Sequence, residues 1–125
     1  MLGSGPLRAL CSVSAVLLMA AGDPGRGREV VMRQTSTCLL CHAGPFPNPH
    51  LQGTVGPDLH GVGGRLTEGE IRERLVDAGR LNPDTVMPAF GGVGVGARVG
   101  AAWRGKPILD AQEIDDVVAF LVTLK

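Results

Sequence analysis

Two thiols and an imidazole stand together in Cys38-Leu39-Leu40-Cys41-His42. In a helical turn, side chains three residues apart project from one side, so both thiols can add across the vinyl groups of one porphyrin. His42 follows at once. Its neutral imidazole nitrogen is a suitable proximal ligand for the iron, kept in place by the attachments when the oxidation state changes. Two other chemistries use a Cys-x-x-Cys pair. Zinc needs two more ligands, and beyond the motif only His50 and His60 remain, too far apart for the usual close pairing. A redox-active dithiol sits at a strand-to-helix junction in an alternating strand and helix pattern, which this sequence lacks. One covalently bound haem c is the reading these residues support.

A second ligand for that iron is available in Asn82-Pro83-Asp84-Thr85-Val86-Met87-Pro88-Ala89-Phe90. Two prolines stiffen this extended stretch, and a rigid loop can hold the Met87 thioether against the face of a porphyrin opposite His42. Met32 lies on a short amphipathic pattern and reads as core. In Gly56-Pro57-Asp58-Leu59-His60-Gly61, Pro57 can offer its carbonyl to the far nitrogen of His42, and Leu59 can pack on the ring. His60 reads as a loop brace and His50 as a solvated loop residue. A His/Met pair fills both axial positions and leaves no site for a substrate, which points to electron transfer. Thioether ligation favours reduced iron and a relatively high potential.

These residues need a small housing, and 125 residues provide one domain. With no tyrosine, one tryptophan (Trp103) and three phenylalanines, large rings cannot fill the interior. A buried haem would supply that volume. Zero formal net charge and the lack of a basic stripe argue against a nucleic-acid partner. Residues 1–22 read as a cleaved signal peptide: Arg8 precedes an apolar run from Ala9 to Ala21 that is too short to span a bilayer. Cys11 falls in this discarded segment, in the wrong order for lipidation, so no membrane anchor is expected. The mature domain, 23–125, is then periplasmic and has two cysteines.

The positioning elements read as all-α. Asp23 to Arg28 suits a flexible lead-in, and Glu29 to Gln34 a short helix into the haem-binding turn. Prolines at 45, 47, 49 and 57 make a wrapped loop. Thr67 and Glu70 form a capping box, with Leu66 and Ile71 as its hydrophobic staple. The spacing predicts a helix from there to about Ala78 that buries Ile71, Leu75 and Val76, with Gly79 as a left-handed cap. Glycines from 91 to 100 make a loose loop. Trp103 and the Arg104-Gly105-Lys106-Pro107 turn could cover a haem edge or cap the core. Asp110 and Glu113 cap a final helix buried through Ile114, Val117, Val118, Leu121 and Val122, with Glu113, Asp115 and Asp116 on its solvated face.

The chain resembles class I cytochromes c, and within them the SoxX subunits of the periplasmic sulfur-oxidising system. The likeness rests on the haem motif, Gly53-Thr54-Val55-Gly56-Pro57-Asp58-Leu59, Leu81 to Phe90, and Trp103-Arg104-Gly105-Lys106-Pro107-Ile108-Leu109 before the last helix. The proline-rich loop Ala43 to Gln52 and the loop Gly91 to Gly100 depart from it. The resemblance implies helices wrapped around one haem c, with Cys38 and Cys41 as attachments, His42 as proximal ligand and Met87 as distal ligand. It also implies a heterodimer with SoxA, a larger cytochrome subunit that carries the catalytic cysteine, so that this chain has no catalytic residue of its own. Such a pair oxidatively joins thiosulfate to a cysteine of the carrier SoxYZ, and this chain would pass the electrons to a downstream acceptor cytochrome. The nearest alternative is a free-standing periplasmic shuttle. A haem-based sensor and a dithiol oxidoreductase are the readings from other classes.

Overall fold

The computed structural model describes residues 21–93 and 99–125. Among the described residues five helices occur: α1 (Pro24–Met32), α2 (Cys38–Cys41), α3 (Val62–Arg65), α4 (Glu68–Asp77) and α5 (Ala111–Leu121). Short 3-10 turns at Gln34–Ser36, Pro49–Leu51, Ala78–Arg80 and Ala101–Trp103 punctuate the loops, and no strand occurs among the described residues. The expected all-α class is what the chain adopts. The signal peptide expected at 1–22 lies, through residue 20, outside the described residues, as do 94–98 of the glycine-rich loop. Among the described residues no helix is long and apolar enough to cross a membrane.

α1 begins earlier than the sequence suggests. Asp23 accepts the Arg26 N–H at 2.7 Å, and Pro24 occupies the first helical position, where a missing N–H is no loss. The stretch expected to be a flexible lead-in is therefore helical, and the reason lies across the fold on α5. A Cβ at Gly27 would come within 1.9 Å of the Asp116 carbonyl oxygen and 2.9 Å of Phe120 Cβ, so only glycine lets the two helices cross this closely. The crossing is locked by one carboxylate. Asp116 Oδ1 accepts from the Asp23 N–H at 2.7 Å and from Gln112 Nε2 at 3.0 Å, while Oδ2 pairs with Arg26 Nε at 2.9 Å.

Asp116 corrects the expectation of an acidic solvated face on α5. It is 3% exposed, and the Arg26 bond holds its pKa down at about 2. Only Glu113 and Asp115 stay near solvent, paired with Arg33 and Arg72. Burial of Ile114, Val117, Val118 and Leu121 follows the predicted helical spacing.

α4 carries the capping box, with Glu70 N–H on Thr67 Oγ1 and the Glu70 carboxylate on the Thr67 N–H. Its C-terminal end differs from expectation. Gly79 does not adopt a left-handed conformation; Asp77 accepts the Gly79 N–H at 3.0 Å and the chain tightens into the 3-10 turn instead. Ile71 and Leu75, four residues apart, share the buried face, whereas Val76, five residues after Ile71, lies off that face and is exposed; its carbonyl receives the Gly91 N–H. Phe46 fills the remaining core against Phe120, with ring centroids 6.0 Å apart.

Candidate haem site

α2 is a single turn, and it is set by the residues before it. Thr37 adopts φ 60°, a left-handed conformation that a β-branched residue rarely takes. Behind it, the buried Ser36 hydroxyl donates to the Val30 carbonyl at 2.6 Å and lies 2.8 Å from the Arg33 carbonyl, closing the end of α1. This buried tie fixes where Cys38 starts. Both cysteines are of intermediate burial and not disulfide-bonded, and Cys38 packs on the border of the core. Burial pushes the Cys38 thiol above its ordinary pKa, opposite to what an activated dithiol requires. Among the described residues no group of three or more His, Cys, Asp or Glu side chains is placed to hold a metal ion.

His42 leaves the helix in an extended conformation, its N–H still bonded to the Cys38 carbonyl at 2.9 Å. Its Nδ1 lies 2.6 Å from the Pro57 carbonyl oxygen. A carbonyl only accepts, so Nδ1 carries the proton and Nε2 keeps the lone pair needed by a metal. The ring lies against the main chain of Gly56, where a Cβ would fall 2.5–2.8 Å from Cε1, Nδ1 and Nε2. Glycine at 56 is thus what allows the imidazole to lie against this loop. Sequence reading found Pro57 but gave Gly56 no role, and only the contact supplies it.

The loop carrying Pro57 is laced to the cysteine turn. Gly53 N–H bonds to the Leu39 carbonyl at 2.8 Å, Gly56 N–H to Cys41 at 2.7 Å, and Leu59 N–H to Ala43 at 2.7 Å. Gln52, also missed from sequence, accepts from Gly44 N–H at 2.8 Å and donates to the Phe46 carbonyl at 2.9 Å, tying the proline-rich loop together. Beyond Pro57, Asp58 accepts from the His60 N–H and ring, which lowers the Asp58 pKa, and Arg65 donates to the Asp58 and His60 carbonyls. His60 is a brace, as expected.

Leu59 and Met87 are both half-buried on the border of the same core cluster as Cys38, and Met32 packs there as well. The Met87 loop is held at its ends: Asn82 N–H bonds to Ala78, Phe90 N–H to Leu75 at 3.1 Å, and Leu109 N–H to Phe90 at 3.0 Å. Inside the loop, Met87 N–H reaches Thr85 Oγ1 at 3.2 Å. Trp103, Lys106 and Ile108 line an open groove together with Ala89 and Val93.

The donor set fits a haem: two thiols from one turn, an imidazole with one free nitrogen, and a thioether on the border of the same core. Residues 26–125 match the family model for cytochrome c. The chain belongs to the cytochrome c family. Its cofactor is accordingly covalently bound haem c, and its role is electron transfer. Among solved structures, this cytochrome c is similar to the crystal structure of SoxXA from P. pantotrophus, with 40% sequence identity, a TM-score of 0.76, and coverage of 89% of this chain and 88% of that one. No match is found among curated proteins.

Proposed function

We propose that this cytochrome c is the electron-accepting subunit of a SoxAX-type complex in the periplasm. Cys38 and Cys41 would form the thioethers, and His42 and Met87 would bind the iron. When bound, the haem supplies one-electron redox chemistry. The chain's own residues hold it still: the Pro57 carbonyl keeps the His42 proton on Nδ1, Gly56 fixes the plane of the ring, and Leu59 packs beside it. With the His42 imidazole and the Met87 thioether both bound, the iron would have no free position for a substrate, so the thiosulfate chemistry belongs to a SoxA-type partner that carries the active cysteine. That partner joins thiosulfate to SoxYZ, and the electrons leave through this chain to another cytochrome.

The observation that carries this reading is the 40% identity to SoxXA over 89% of the chain. The test is to tag the full chain in its thiosulfate-grown host, purify it gently and stain for covalent haem. A second haem-bearing chain in equal amount, with thiosulfate and the carrier together reducing the haem, is expected. A lone red protein untouched by thiosulfate would make it a free shuttle.

A further inference from the structure

The residues just ahead of α1 pack as part of the domain, although the sequence reading assigns them to the cleaved signal peptide. A Cβ at Gly22 would fall 2.1 Å from the Asp115 carbonyl oxygen and 3.0 Å from Ala119 Cβ, so the main chain lies directly on α5 and only glycine fits. One residue on, the Asp23 N–H donates to the buried Asp116 carboxylate at 2.7 Å. Ala21 and Gly22 line an open groove between α4 and α5 with Glu68, Arg72 and Asp115. Arg72 serves both carboxylates there: it pairs with Asp115 and stands 3.9 Å from Glu68. Two carboxylates and one guanidinium leave the groove with a net negative charge.

We infer that export processing hydrolyses the Ala20–Ala21 bond, and that the α-ammonium left on Ala21 enters this groove beside Glu68 and Asp115. The inference rests on the periplasmic placement proposed above and moves the expected boundary, after residue 22, two residues toward the start of the chain. Ala20-Ala21-Gly22 offers adjacent small residues of the type such a peptidase accepts, so sequence does not choose among them. Packing does. A cut after Gly22 would discard the residue shaped to lie on α5, whereas a cut after Ala20 keeps it and leaves Ala21, which lines the groove, to carry the amine. The hydrolysis takes one water, leaves a carboxylate on Ala20 of the released peptide, and gives Ala21 an amine that is mostly protonated at pH 7. That amine supplies the positive charge the groove lacks. It is carried by a segment already seated on α5, so little ordering is required to hold it. Asp115, at 20% side-chain exposure, is the better-shielded partner, and Glu68, at 70%, is the more screened one.

The test uses the full chain with its own leader and a C-terminal tag, purified haem-loaded from its host. Its intact mass should correspond to a chain that starts at Ala21 and carries the tag and one haem. A start at Gly22, Asp23 or any other cut position overturns the inference and leaves the proposed function intact. An uncut chain overturns both the inference and the periplasmic placement. Gly22→Val separates packing from processing: it should still be cut before Ala21 but lose about 4 °C or more in thermal midpoint. An unchanged midpoint would show that position 22 is not held on α5 and overturn the seat. Glu68→Gln combined with Asp115→Asn, which adds no bulk, reads the pairing even where Gly22→Val fails to accumulate. Acylation of the Ala21 amine at pH 7, followed by peptide mapping, should run about threefold faster in this double variant, because more of the amine is unprotonated. Equal rates overturn the groove as the place of the ammonium.

Discussion

The two loops that carry the proposed iron ligands, His42 and Met87, are built differently. On the histidine side, residues 53–59 are tied to the cysteine turn by three backbone bonds, the His42–Pro57 bond is 2.6 Å long, and Arg65 clamps the following carbonyls. On the methionine side, the backbone bonds to the rest of the chain fall at Asn82 and from Phe90 onward, and Met87 itself is held by a 3.2 Å bond to Thr85 within its own loop. One ligand is fixed by a network and the other by two anchored ends and packing. Perturbation should therefore disturb the histidine side as a unit, with folding, and the methionine side alone.

The largest effect should come from the attachments. Cys38→Ala or Cys41→Ala should abolish normal covalent maturation, seen as loss or marked weakening of the haem band on a denaturing gel; an undiminished band would remove that thiol from the site. Next is Gly56→Ala, whose new methyl would strike three atoms of the His42 ring. It should lower the unfolding free energy of the haem-loaded protein by about 2 kcal/mol and reduce its yield; wild-type thermal stability would mean that the ring is not confined by this loop.

The α1–α5 clamp lies away from both loops and should be separable from them. Folding lowers the Asp116 pKa from 3.8 to about 2, so its contribution is present above the unfolded value and is lost as pH falls through about 2. Asp116→Asn should cost on the order of 2 kcal/mol at neutral pH and flatten the acid limb of stability between about pH 4 and pH 2, with axial ligation unchanged. A denaturant series across that range checks both statements, and parallel acid limbs for the two proteins would contradict them. The smallest effect is expected for Thr85→Ala, which removes one 3.2 Å bond from the Met87 loop. Stability should fall by about 0.5–1 kcal/mol, while the proportion of protein that loses its sixth ligand on mild warming rises. An unchanged ligand-loss profile would show that packing alone holds Met87.

What could be read from the sequence was local. The haem motif, the two capping boxes and the Pro57 carbonyl each depend on residues whose chemistry is set within a few positions or by a known partner type. What escaped was contact between distant segments. Gly27 permits a helix crossing, Gly56 accommodates a ring, and Asp116 is buried because the start of α1 brings it Arg26 from 90 residues away and the Asp23 N–H from 93. An acidic residue on an amphipathic helix reads as solvated until its partner is placed. The Gly79 cap failed for a related reason: the Asp77 side chain took the Gly79 N–H, a local competition that glycine content alone does not reveal.

The measurement that bears most directly on the unequal loops is carbon monoxide binding to the reduced, haem-loaded chain, compared with Met87→Ala. The wild-type protein should take up none at neutral pH, and Met87→Ala should bind it stoichiometrically while its haem band survives a denaturing gel. Equal binding by the two proteins, or none by either, would contradict the assignment of Met87 as the sixth ligand.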